Sequence, residues 1–80
     1  LNHLPQLIIT NPATRSLRIE YSEPGQSGEV SLYTLQGKCL KRFNYSQPSE
    51  VNISDWASGI YIIEFKTATG SIRKKWILQQ

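Results

Sequence analysis

No window of the chain places apolar residues at three- and four-residue spacing over more than two turns, while alternation of apolar and polar residues recurs along its whole length. A chain with that pattern can bury one side of extended segments and little else. Leu17, Ile19 and Tyr21 alternate with Arg18 and Glu20, and the run ends at the turn-rich Glu23-Pro24-Gly25-Gln26-Ser27-Gly28. Val30 and Leu32 alternate with Ser31 and Tyr33 before Leu35-Gln36-Gly37-Lys38, where glycine supplies the positive φ of a tight reversal. Cys39 to Tyr45 returns as a strand, with Leu40 and Phe43 expected on opposite faces, and Ser46-Gln47-Pro48 stops it. Glu50 to Ile53 reads as a short strand leading into the corner Ser54-Asp55-Trp56-Ala57-Ser58-Gly59.

The run Ile60 to Thr67 is dense in β-branched and aromatic residues and apolar on both faces through Ile63, which predicts a central strand. A hairpin through Ala68-Thr69-Gly70-Ser71 leads to Ile72 to Leu78. With a first strand around Leu7 to Thr10, the chain reads as all-β: an immunoglobulin-like β-sandwich of about seven short antiparallel strands, with a barrel as the competing architecture. The alternation predicts Leu17, Ile19, Val30, Leu32, Ile53, Tyr61 and Ile63 in the core. Gly37 and Gly59 are expected at positive φ, and Tyr61 as a tyrosine corner anchoring its bend through the hydroxyl.

Eighty residues suffice for one core and not for two, so residues 7–80 are read as one domain and residues 1–6, with His3 and Pro5, as the end of an interdomain linker. The chain opens on Leu1, lacks a secretory leader pattern or a long apolar run, and reads as a soluble piece of a longer protein. The net charge of +3 is concentrated at Lys38 to Arg42 and Arg73 to Lys75, too mild a bias to argue for nucleic acid. A single cysteine excludes an internal disulfide, and Cys39 is expected to be a half-buried structural residue.

Chemistry has little to work with. Acid–base catalysis needs titratable groups that converge, whereas the six acidic residues are scattered, with Glu20, Glu29 and Glu64 at outward or edge positions. His3 is the only histidine and lies near a terminus. One histidine and one cysteine are too few for zinc, and no run has the acidic spacing of a calcium loop or the glycines of a phosphate loop. The expectation is a chain that is not an enzyme, with no catalytic or metal residues, no cofactor and no small-molecule substrate. Asn44-Tyr45-Ser46 and Asn52-Ile53-Ser54 fit the glycosylation acceptor pattern, a three-residue signal that chance supplies. In Arg73-Lys74-Lys75-Trp76, strand alternation splits the basic residues over two faces, which favours a charge-protected edge over a nucleic-acid groove.

Four stretches, in order, carry a family resemblance: Asn11-Pro12-Ala13-Thr14 followed by Leu17 and Ile19; Val30 to Lys38 with its leucine and glycine turn; Trp56-Ala57-Ser58-Gly59-Ile60-Tyr61; and Lys74-Lys75-Trp76-Ile77-Leu78. From about Ile9 to Gln80 the chain resembles the C-terminal sorting domains, type A, of the type IX (Por) secretion system of Gram-negative bacteria. It departs from the pattern at Ile9-Thr10, where Tyr-Pro is usual, at Arg15, where Asp is common, and at Trp56, where Leu is typical.

The resemblance implies a seven-stranded sandwich that directs a covalently linked N-terminal cargo across the outer membrane. The cargo then passes from the periplasm to the cell surface or beyond. Its implied partners are the secretion translocon and a sortase-like cell-surface protease, which removes the domain as cargo is anchored or released. Lys74, Lys75, Trp76, Ile77 and Leu78 are the residues expected to be read by the translocon, with Ile77 and Leu78 forming an exposed apolar end. The competing reading is an immunoglobulin-like adhesion or carbohydrate-binding module, which needs aromatic residues such as Tyr33, Tyr61, Phe65 or Trp76 on one exposed face.

Overall fold

A computed structural model describes residues 5–80, and the parts of the linker expectation that fall on residues 1–4, His3 among them, lie outside it. The alternating segments become seven strands: β1 (Leu7–Ile9), β2 (Ser16–Tyr21), β3 (Gly28–Thr34), β4 (Cys39–Tyr45), β5 (Ser49–Asn52), β6 (Gly59–Thr67) and β7 (Gly70–Leu78). They form two antiparallel sheets, β1-β2-β5 and β4-β3-β6-β7. The all-β class and the sandwich reading both hold, and the Cα atoms span 38 × 21 × 20 Å.

All seven residues assigned to the core from alternation are buried, and Leu7, Ala13, Tyr45, Val51, Phe65, Trp76 and Leu78 join them. Phe65 sits at one end of this core between Tyr21 and Tyr45, with ring centroids at 4.6 and 5.2 Å. The Tyr45 hydroxyl also accepts the Tyr21 backbone N–H at 2.8 Å, tying the two sheets together. At the other end Trp76 stacks on Tyr61 at 5.0 Å, and Trp56 leans on both. Burying aromatic groups of this size supplies much of what a small sandwich gains on folding.

Some expectations are corrected. Cys39 is exposed, because it opens edge strand β4 on the outer face and the register slips between Leu32 and Tyr33 beside it. On the same strand Leu40 is exposed while Phe43 turns inward and packs on the core, the opposite faces expected of them. Strand β6 is interior to its sheet, as predicted, but its outer face is open to solvent: Ile60 is 47% exposed. Gly37, at φ 99°, and Gly59, at φ 158°, both have the positive φ expected of them, with Gly37 in a left-handed turn.

The glycine most tightly constrained by its surroundings is Gly28, which the sequence presents only as the end of a turn. A Cβ built there lies 2.5 Å from the Lys66 carbonyl oxygen and 2.9 Å from the Phe65 ring, too close to be accommodated without displacing backbone. Gly28→Ala is expected to destabilise by about 1–3 kcal/mol through overpacking. Gly37→Ala, which meets open space, should cost about 1 kcal/mol through backbone strain alone. Urea denaturation of the two variants checks the order, and an unaffected Gly28→Ala would mean that β3 and β6 are not this close.

Candidate functional site

The four signature stretches meet at one end of the sandwich. Strand pairing sets Thr34 against Tyr61 and Tyr61 against Trp76, so the Leu35–Lys38 turn, the start of β6 and the end of β7 lie side by side. Leu35 and Gln36 share a shallow surface hollow with Ser58, Gly59 and Ile60. The Asn11–Thr14 stretch completes the group from the opposite sheet. The chain leaves β1 there and crosses to β7, where Ala13 forms a parallel bridge with Leu78.

Backbone and side-chain bonds lock this crossing. The Ala13 N–H donates to the Ile77 carbonyl and the Gln79 N–H donates to the Ala13 carbonyl, both at 2.8 Å. The Asn11 Oδ1 accepts the Ile77 N–H at 2.9 Å. Ala13 is fully buried beneath the seam, so a larger side chain has no room there. Gln80 continues the seam, its N–H donating to the Ser58 hydroxyl and its side-chain amide to the Trp56 carbonyl at 2.9 Å. Pro12 and Thr14 stay exposed on the loop.

Within this end, Tyr61 turns its hydroxyl back to the Ala57 carbonyl at 2.5 Å, the geometry of a tyrosine corner. Asn52 forms the preceding corner by accepting from both the backbone N–H and the hydroxyl of Ser54.

The closing strand divides its residues between two jobs. Trp76 and Leu78 face inward and are 0% and 1% exposed, so the expected apolar end is formed by Ile77, not by Leu78. The cause is alternation across from Gly59 and Tyr61, which turns even-numbered residues of β7 to the core. Trp76 Nε1 has no hydrogen-bond partner among the described residues, so the indole is there as packing. Lys74 lies on the same inward face, and its ammonium reaches across the sandwich to the Leu7 carbonyl at 2.8 Å, capping the open edge of β1. Lys75 points outward and has no ion-pair partner among the described residues. Sequence alternation separated the two lysines by face; nothing in it revealed the bond from Lys74 to a strand 67 positions away.

The outer face of the larger sheet carries a polar network that sequence reading did not find. Tyr33 donates to Glu64 and accepts from Arg42, Arg42 also donates to Ser31, and Arg73 bonds Glu64 at 3.2 Å while lying 5.7 Å from the Tyr33 ring centroid. The hydrogen bond to Tyr33, with the nearby negative groups, raises the Arg42 guanidinium further above its ordinary range. Toward the signature end this face turns apolar, through Ile62 and the half-exposed Ile60 and Ile77. Tyr61, Phe65 and Trp76 are buried, which removes them from any aromatic platform for a sugar.

Two substitutions test the division of labour. Lys74→Met keeps the stem and removes the ammonium; a loss of about 1 kcal/mol is expected from the missing bond to Leu7, against no measurable change for Lys75→Met. Tyr61→Phe should likewise cost about 0.5–1.5 kcal/mol by leaving the Ala57 carbonyl without its donor. Thermal or urea unfolding reads all three, and equal stability of the two lysine variants would remove the distinction.

Comparison with known proteins agrees with the arrangement. No curated protein and no solved structure matches the chain. The family model described as the secretion system C-terminal sorting domain matches residues 8–79, from the first strand through the seam formed by Ile77 and Gln79. With nearly every described residue inside that match, and with its four signature stretches joined at one end of a seven-stranded sandwich, the chain belongs to the C-terminal sorting domains of the type IX secretion system.

Proposed function

We propose that this domain is the export label of a covalently linked N-terminal cargo, read as a folded unit at its signature end and doing no chemistry of its own. Membership in the family over residues 8–79 is the observation that carries the reading. The geometry supports it by separating the two tasks such a label has. Gln6 is held beside Ser22 by paired hydrogen bonds, so the incoming chain joins the sandwich at the end opposite the seam. The entry beside Gln6 and Leu7, which Lys74 reaches, thus lies at one end of β1, and the seam of Ala13, Ile77 and Gln79 lies past its other end.

In this reading the cargo crosses the periplasm with the domain attached. At the cell surface a sortase-like protease cuts in the connecting segment, and the cargo is anchored or released. Of the five residues assigned to recognition, Lys75 and Ile77 offer side chains to a translocon component in the folded state. Trp76 and Leu78 hold the strand in position, and Lys74 ties it to β1.

The test fuses the 80-residue chain to the C-terminus of a reporter that carries its own signal for entry to the periplasm, expressed in a type IX-competent host. The reporter is expected at the surface or in the medium, with the domain removed, and in the periplasm with the domain attached when the translocon is disabled. A reporter that stays in the periplasm of the competent host overturns the reading.

A further inference from the structure

Residues 11–13 cover only the C-terminal half of the β7 edge. The Ile77 N–H and carbonyl point away from β6 and are taken by Asn11 and Ala13. Along an antiparallel strand every second residue points its backbone groups the same way, so those of Arg73 and Lys75 also face outward. Among the described residues nothing bonds them. The exposed half-edge is straight in register with β6 from Gly59 to Thr67, and carries neither a proline nor a bulge.

We propose that this half-edge, Ser71–Lys75, accepts an extended segment of a partner protein with acidic side chains at alternate positions, adding it as a fifth strand to the four-stranded sheet. The proposal rests on the sorting reading and names the chemistry of the component that reads the domain. Strand addition uses the main chain for affinity and alternate side chains for selectivity. The same edge already takes a chain segment at Ala13 and Leu78, so its geometry admits a neighbour.

Charge decides which neighbour. Arg73, Lys74 and Lys75 are consecutive, and Arg73 and Lys75 flank a shallow groove floored by Ile62 on the outer face. Arg73 is shared with Glu64, but Lys75 has no carboxylate within ion-pairing distance among the described residues. A second copy of this chain would set cations against cations, which is destabilising for residues directly opposite on paired strands. An acidic strand instead places its carboxylates beside Arg73 and Lys75.

The first test titrates the isotope-labelled 80-residue chain with a short synthetic peptide alternating glutamate and valine. Saturable shifts are expected at the Arg73 and Lys75 amides, absent with a lysine–valine peptide and lost when the glutamate–valine peptide is N-methylated. Undisturbed Arg73 and Lys75 amides, or equal shifts with the lysine–valine peptide, overturn the proposal.

The second test uses the reporter fusion. Lys75→Pro removes the outward N–H together with the charge and breaks no bond to β6, whereas Lys75→Ala removes the charge alone. With melting unchanged, export should be lost in the proline variant and reduced in the alanine variant; if the proline variant melts early, the alanine variant and the peptide titration decide. Export of both variants at the level of an exported wild-type fusion means that the cations only protect the edge from aggregation, which overturns the proposal and leaves the sorting reading intact. A wild-type fusion that is not exported overturns the sorting reading instead.

Discussion

The bonds between Ala13 and the pair Ile77 and Gln79 hold the two ends of the chain together and close one side of the sandwich. Without them the larger sheet has an open last strand, tied across this side by the Asn11 side chain at Ile77 and the Lys74 ammonium at Leu7. The crossing also explains why a small residue stands at position 13. Ala13 sits fully buried between the sheets while its backbone does the pairing, so shape and hydrogen bonding are satisfied by one short residue.

Seen from this seam, a signature residue and a contacted residue are different things. Asn11, Ala13, Tyr61, Trp76 and Leu78 are buried or spent on internal bonds. They shape the end of the sandwich, and the surface exposed there is left to their neighbours: Lys75, Ile77, Ile60 and the Leu35 turn. Replacing a core aromatic such as Trp76 would act on recognition through loss of the fold, since truncating a buried residue of that size typically costs about 3–5 kcal/mol.

Most of the fold was legible because half-buried strands write their burial into alternate positions, and β4 was placed to the residue, Cys39 to Tyr45. Local chemistry was legible too, in the left-handed turn at Gly37 and the corner made by Tyr61. Burial at strand ends was less so. Leu78 was expected to be exposed although alternation sets it on the face of Trp76, because no local signal shows that β7 stays paired with β6 as far as Gly59. Cys39 was misplaced because a register slip in β4 breaks the period on which the reading depends. Contacts that join distant positions, such as Lys74 to Leu7 and Asn11 to Ile77, leave no mark in any local window. The crowding at Gly28 is of the same kind, since it arises from β6 and not from the turn itself.

The seam has a consequence in time as well as in space. A ribosome makes Asn11 and Ala13 early and the residues they bond, Ile77 and Gln79, more than sixty positions later. A chain interrupted before position 76 has no partner for the crossing and lacks the indole that fills that end of the core. It cannot display the assembled end, however well the preceding cargo has folded. An end built this way is completed only once synthesis has run through β7, so its own geometry records that the chain was finished that far.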